Sequence, residues 1–380
     1  MTDLLKPAKM GEMPARILAG QLDYAGSWER VLAKAGMPGV DGISVWRFAR
    51  SAAVLLRALQ SRLAGERYLS LPLRMAELEK KSGALRLLLI GTVGDRVAQS
   101  AVAHWLGSHW NNSFDDASFA YRPGLGVRDA LRRLAELRNQ GFRWVLDADI
   151  RSFFDSIPHC VLLEKLERWL GPASPMLTWL RSWLASPVWD GEQLTCVTCG
   201  VPQGSPLSPI LANFYLHEFD VRLRAAKIHL VRYADDFLVL ARSPFELDEQ
   251  RKTVEEVLEK LQLSLSAEKT RTTTFGQCFH FVGAELQGDN ILLPFERLKT
   301  PKVPHYVAPV MPPALLRAYR SGHLKISGPL RWDGIRRERA KPAANPAVNP
   351  RRPVLGLLSG SAPNASLTLL RRNPWTRHQQ

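Results

Sequence analysis

The sequence predicts an α+β protein in which helices cover a largely antiparallel sheet. Three observations predict it. Apolar runs of strand length at 85–90, 143–150, 230–233, 237–241 and 279–285 are interleaved with amphipathic stretches of helix length. They lack the strict strand–helix alternation that builds a parallel sheet. The runs Leu230-Val231 and Phe237-Leu238-Val239-Leu240 flank Ala234-Asp235-Asp236, the pattern of a hairpin with acids at its tip. Finally, 380 residues that are 46% hydrophobic suffice for a real core and for about two or three domains.

The elements follow in chain order. Residues 46–65 carry apolar side chains at helical spacing, and 85–90 form a short apolar strand. A helix over 95–109 places Val97, Ala101 and Trp105 on one stripe, and a second helix covers 128–138. The strand 143–150 alternates and then runs into acids. Helices follow at 160–169 and 176–184, then a Thr-, Val- and Cys-rich strand or hairpin at 193–201. A loop stiffened by Pro202 and Pro206 leads into a long amphipathic helix over 209–225, with Ser208 as N-cap and Pro209 at its first position. The hairpin strands come next, then a helix with a charged face over 244–261, the strand 279–285 and a short helix at 313–319. No repeat of 20–50 residues is visible.

Composition narrows the function classes. With 51 Lys and Arg against 36 Asp and Glu, the chain carries +15 and points to a polyanionic partner. Four cysteines are not a disulfide scaffold, and no apolar stretch is long enough for a membrane span. The first nineteen residues lack an apolar block before a cleavage site, so a cytoplasmic protein is expected. The charge is uneven: residues 329–380 hold ten Lys and Arg, two acids and seven prolines, a net +8 that leaves +7 for the rest. With little periodicity there, this tail is expected to be disordered.

Three segments carry chemistry. In Tyr233-Ala-Asp-Asp236, adjacent acids sit where burial is costly unless a cation neutralises them, although an ordinary turn also favours Asp. In Leu146-Asp-Ala-Asp-Ile-Arg-Ser-Phe-Phe-Asp-Ser-Ile157, Asp147 and Asp149 share one strand face. Asp155 reads as a helix N-terminal acid and Asp147 as a solvated one. If the two segments are neighbours, Asp149 and Asp235 can flank a pair of Mg2+ ions, which take oxygen ligands and support in-line phosphoryl displacement. The loop Gly200-Val-Pro-Gln-Gly-Ser-Pro206 offers backbone and Gln203 donors to a base, sugar or phosphate. Cys196-Val-Thr-Cys199 lacks a nearby second pair, and strand packing explains it better than zinc.

The order of these motifs resembles the palm of a reverse transcriptase. Pro38-Gly-Val-Asp-Gly42 resembles the N-terminal extension motif of group II intron-like bacterial reverse transcriptases. The segment from Leu85 to Gln99 resembles their first fingers motif and Phe119-Ala-Tyr-Arg-Pro-Gly124 their second. Ser266-Ala-Glu-Lys-Thr270 and Phe281-Val-Gly-Ala284 resemble later palm motifs. The resemblance covers about residues 35–300, in family order. It departs in the first fingers motif, where Arg86-Leu-Leu-Leu-Ile-Gly91 lacks both prolines of the family's Arg-Pro-Leu-Gly-Ile-Pro.

The resemblance implies a right-hand polymerase: an N-terminal segment (1–34), an extension with fingers (35–142), a palm with an antiparallel sheet (143–300), a short helical thumb-like connector (301–328) and the basic tail (329–380). It implies RNA-directed DNA polymerisation from an RNA template, a DNA or RNA primer and dNTPs. Asp149, Asp235 and Asp236, with the carbonyl of Ile150, would hold two Mg2+ ions. Phe154 would gate against the ribose 2′-OH and Gln203 would line the nucleotide pocket. Lys80 and Arg86 would clasp the triphosphate, with Lys81 competing for the role of Lys80. Arg122, Tyr233 and Lys269 would contact template or primer.

Residues 307–324, with Pro312-Pro313 and Ala318-Tyr319-Arg320, resemble the sequence after the palm in the CRISPR-associated subgroup, which works beside a spacer integrase. A truncated intron protein and a phage-defence enzyme are alternatives. The competing class is a non-catalytic RNA-binding protein.

Overall fold

The computed structural model describes residues 13–65, 68–79, 83, 85–293, 304–324 and 326–330, the last four without their side chains. Lys80, Lys81 and residues 331–380 of the basic tail lie outside the described residues.

Two short helices open the chain, α1 (Ala15–Gly20) and α2 (Tyr24–Ala33). The helix expected over 46–65 is two helices, α3 (Val45–Ala49) and α4 (Ala52–Ala64). Ser51 breaks it with a non-helical φ of −134°, and the Ser44 hydroxyl starts α3 by accepting from the Arg47 N–H at 3.2 Å. The preceding Pro38-Gly-Val-Asp-Gly42 has a packing reason: a Cβ on Gly39 would sit 2.7 Å from the backbone nitrogen of Thr92. Only glycine lets that turn lie against the start of the next long helix.

That helix follows a hairpin. Strands β1 (Leu73–Glu79) and β2 (Leu85–Ile90) pair antiparallel, and α5 (Val93–Trp110) begins after Thr92, whose hydroxyl caps Asp95. Then come α6 (Val127–Asn139), β3 (Trp144–Asp149), the single turn α7 (Phe153–Ser156), α8 (His159–Leu170) and α9 (Pro175–Leu184). The expected strand or hairpin at 193–201 is the hairpin β4 (Val188–Trp189) and β5 (Leu194–Val197). The long helix α10 (Ser208–Ala225) leads to β6 (His229–Tyr233) and β7 (Asp236–Ala241), then α11 (Pro244–Lys260) and β8 (Arg271–Thr274).

Ser208 is not the N-cap of α10. Its hydroxyl donates instead to the Pro202 carbonyl at 2.6 Å, and the Ser205 hydroxyl accepts from the Leu207 N–H at 3.1 Å. Both bonds tie the Pro-Gln-Gly loop to the helix it precedes.

The single strand expected at 279–285 is a pair, β9 (Phe279–Phe281) and β10 (Ala284–Gln287), joined by Val282 and Gly283, both at positive φ, and followed by β11 (Asn290–Leu292). The described chain ends with β12 (Tyr306–Val307), α12 (Pro313–Arg320) and β13 (Ser327–Leu330).

The palm sheet has the order β6-β7-β3-β8 and is antiparallel throughout. Helices α8, α9, α10 and α11 bury their apolar faces with it in one core. There Trp110 stacks on Phe214 at 4.5 Å and meets Trp169 edge-on at 4.9 Å. A separate sheet runs β12-β1-β4-β5-β13, with β2 also on β1.

Residues 304–330 add strands and a helix beside the sheet of β1 and β2. Tyr306 and Val307 pair with β1, and β13 pairs parallel with β5. The Trp189 indole donates to the Pro309 carbonyl at 2.9 Å, and the Met311 N–H donates to Val40 at 2.9 Å. Strand β13 includes Pro329 and Leu330. Among the described residues, no helix is long and apolar enough to cross a membrane.

Candidate active site

Strand pairing brings the two acidic segments together. Asp149 on β3 lies opposite Asp236 on β7, and Asp147 lies opposite Leu238. Asp147, Asp149 and Asp236 therefore face one side of the sheet. Asp235 sits in the two-residue turn between β6 and β7, where Ala234 takes a left-handed φ of +62°. The Ile150 N–H donates to the Asp235 carbonyl at 3.3 Å and fixes the turn against the end of β3.

Four carboxylates in one place repel each other. Asp236 is pushed up to about 7, first by burial and then by Asp147, Asp149 and Asp235, while the Val282 N–H pulls it back. Val282 thus holds its left-handed backbone where its N–H meets an active-site acid. Asp235 is raised by burial and by Asp149, against Lys269 and Arg86. Burial also raises Asp147, which Arg271 offsets by donating from Nε at 2.9 Å. Asp147 is therefore paired, not simply solvated.

Lys269 Nζ donates to Asp149 Oδ2 at 2.8 Å. The Ser266 N–H holds the Asp149 carbonyl at 2.8 Å, so the Ser-Ala-Glu-Lys-Thr turn is built onto this strand end. An ammonium on Asp149 and repelling, half-buried acids beside it are what an unfilled demand for positive charge looks like. Hard divalent cations satisfy such oxygen-only sets. Among the described residues, no three His, Cys, Asp or Glu side chains converge as a complete cage. Mg2+ is usually held by one or two carboxylates together with water and substrate phosphates.

A residue with no signal in the sequence braces the turn. The Arg232 side chain is fully buried and bonds Asp220 through Nε (2.6 Å) and Nη2, Asn213 Oδ1 (3.1 Å), Ser118 Oγ (2.8 Å) and the Ala234 carbonyl (2.9 Å). Burial drives the Asp220 carboxyl up and Arg232 draws it down. Its backbone joins the loop before α6, donating to Ala117 at 2.7 Å and accepting from Phe119 at 3.0 Å. One guanidinium thus links that loop, α10 and the turn that carries Asp235.

The pocket loop is wired to the turn after β3. The Val201 N–H donates to Phe154 and the Gly200 N–H to Ile157, each at 2.7 Å. Ser152, at φ +46°, swings the chain from β3 into α7, so Phe154 follows the acids closely and packs edge-on against Phe153 at 5.4 Å. The Gln203 side-chain amide donates to Asp155 at 3.0 Å, and the Gln203 backbone carbonyl accepts from the Leu89 N–H of β2 at 3.1 Å. Gly204, at φ +113°, is the one residue type that turns there without strain.

Most expected site residues meet here. Asp149, Ile150, Asp235, Asp236, Tyr233 and Lys269 share the strand ends, and Arg86 on β2 acts on Asp235. Lys269 is engaged with the Asp149 carboxylate. The Arg122 guanidinium donates to the carbonyls of Asn111, Asp115 and Ser118 and to the Asn111 side chain. A loop closed by arginine on its own carbonyls leaves that side chain holding the fold. Its neighbour Tyr121, left-handed and half exposed, is the one in electrostatic reach of Asp235, Tyr233 and Arg86. Cys196 and Cys199 are free thiols on and after β5, with Cys199 buried in the fingers-side core.

Protein YkfC of Escherichia coli (strain K12) is 28% identical over 288 residues, covering 66% of this chain and 75% of YkfC. Group II intron-encoded protein LtrA of Lactococcus lactis subsp. cremoris is 33% identical over 147 residues, 39% of this chain and 24% of LtrA. The chain thus spans three quarters of the first relative and a quarter of the second. Among solved structures, a chain of the partial Cas6-RT-Cas1--Cas2 complex is 25% identical, with a TM-score of 0.40 and coverage of 66% of this chain and 42% of that one. Candida albicans telomerase is 17% identical, with a TM-score of 0.49 and coverage of 67% and 52%. The family model for reverse transcriptase (RNA-dependent DNA polymerase) matches residues 78–286, more than half the chain and the whole of the acidic site, and the protein belongs to that family.

Proposed function

We propose that this chain is an RNA-directed DNA polymerase that adds dNTPs to a primer 3′-OH on an RNA template. The observation that carries the proposal is the convergence of Asp149, Asp235 and Asp236 at paired strand ends, with Lys269 already supplying positive charge. Two Mg2+ ions would be held by Asp149 and Asp235 with the Ile150 carbonyl, and Asp236 would complete the acidic set. When bound, such ions would make the primer hydroxyl a better nucleophile and would stabilise charge on the leaving pyrophosphate. Asp149 and Asp235 orient that centre, and the Arg232 bond to the Ala234 carbonyl keeps the turn from moving.

Arg86 on β2, with Lys80 six residues before it in sequence, would offer cations to the triphosphate. Gln203 lines the pocket, and Phe154 excludes the ribose 2′-OH by its bulk. Phe154→Ala is expected to raise incorporation of ribonucleotides at least about tenfold relative to deoxynucleotides, since one steric clash removed is worth about 1–3 kcal/mol. Competing ribo- and deoxynucleotide extension checks this, and unchanged selectivity would remove Phe154 from the gate.

The basic charge outside the tail would line a template–primer groove. Deleting residues 331–380 removes ten Lys and Arg. Affinity should fall and its salt dependence flatten, while single-nucleotide addition at saturating template stays. Loss of that addition would make the tail part of the working fold.

The finer assignment, acquisition of spacers from RNA beside a spacer integrase, rests on residues 307–324 resembling the CRISPR-associated subgroup. An integrase gene next door supports it, and an enclosing intron RNA refutes it.

A further inference from the structure

Gln203 is an amide, and an amide in a pocket has two faces with opposite hydrogen-bonding character. Which face meets the ligand depends on what holds the other. Asp155 Oδ1 accepts from Gln203 Nε2 at 3.0 Å. A carboxylate accepts and does not donate, so the NH2 group is turned toward Asp155 and the amide oxygen away from it.

The two residues stand on segments joined independently by backbone. Val201 bonds Phe154, Gly200 bonds Ile157, and the His159 N–H donates to the Thr198 carbonyl at 3.0 Å. Asp155 itself is fixed, with its N–H donating to the Ser152 carbonyl at 2.9 Å in the left-handed turn. Backbone bonds that do not involve the Asp155 carboxylate thus hold the turn and the loop in register, while that carboxylate holds the Gln203 amide.

We propose that Asp155 is a positioning residue for the incoming nucleotide: it sets the orientation of the Gln203 amide, so that the pocket presents an acceptor, independently of the Phe154 gate. The proposal rests on the reading of Gln203 as a nucleotide-pocket residue. It assigns a role in the reaction to an acid that the sequence offers only as a helix N-terminal residue.

The test is steady-state single-nucleotide addition on an RNA template with a DNA primer, using Asp155→Ala, Asp155→Asn, Gln203→Ala and the double variant. Thermal midpoints confirm that each folds. Asp155→Ala should raise the KM for dNTP about tenfold, the effect of losing one charged hydrogen bond, with kcat changed less than about twofold. Asp155→Asn, whose side-chain oxygen still accepts, should recover most of that loss. The double variant should be no worse than Gln203→Ala, because Asp155 acts through the amide. Selectivity against ribonucleotides should be unchanged in Asp155→Ala.

Three results overturn the proposal while leaving the pocket reading intact: kcat falls with KM unchanged, ribonucleotide exclusion is lost with it, or the single effects multiply in the double variant. If Gln203→Ala leaves the KM for dNTP unchanged, the pocket reading fails, and the proposal with it.

Discussion

Asp149→Ala and Asp235→Ala should each abolish primer extension on an RNA template while template–primer binding persists. Each removes a carboxylate around which the metal ions would be held, and the loss in rate should reach about three orders of magnitude or more, ~4 kcal/mol of transition-state stabilisation. Binding should persist because it draws on the basic surface, whose charge these changes make slightly more positive. Neither change should destabilise the fold. Asp235 is raised by burial and by Asp149, so removing it relieves repulsion among the acids. Primer extension, a binding titration and a thermal melt on the same preparations check all three parts. If both variants extend primers at the normal rate, the acids are structural and the non-catalytic RNA-binding class replaces the enzyme.

Arg232→Met should cost about 3–5 kcal/mol of stability, the range for removing one partner of a buried ion pair. The Asp220 carboxylate would remain at zero exposure with its bidentate partner gone, and Asn213, Ser118 and the Ala234 carbonyl would lose a donor each. Urea denaturation reads the loss. Converting Asp220 to Leu in the same chain should restore part of it, because an apolar pair replaces an uncompensated charge. Activity should not recover in step, since the double variant still lacks the bond to the turn that carries Asp235. A double variant that regained full activity would show that the Arg232–Ala234 bond plays no part in placing that acid.

The acids were legible in the sequence because chemistry and pattern coincide there. Apolar β-rich runs end in carboxylates at 147–149 and 235–236, and the antiparallel pairing of β3 with β7 is what such runs produce when they meet. The helices over 95–109 and 209–225 were legible from their period. Shifts at their ends reflect capping by Thr92 and the Ser208 bond to Pro202, which depend on where a loop folds back.

Other features depend on contacts distant in sequence. Strand β1 puts Met75, Glu77 and Glu79 on one face, an unclear pattern, and declares itself only by pairing with β2. Strand β12 is two residues long and exists because β1 offers an edge some 230 residues earlier in the chain. Arg232 looks like any strand arginine, and only the three-dimensional arrival of Asp220, Asn213 and Ser118 makes it a buried brace. Arg122 shows the reverse: a basic residue beside the expected site turns inward because loop carbonyls take its donors. Lys269 reaches Asp149 across 120 positions, which no local pattern encodes.

The most direct test is the rate of single dNMP addition to a primer on an RNA template in Mg2+, at saturating template–primer, for the native chain and for Asp235→Asn, which keeps the shape of the side chain and removes its charge. The account predicts addition by the native chain, abolished by chelation of the metal and by Asp235→Asn at equal occupancy. Binding of template–primer by the native chain without addition, or equal rates for the two proteins, would contradict it.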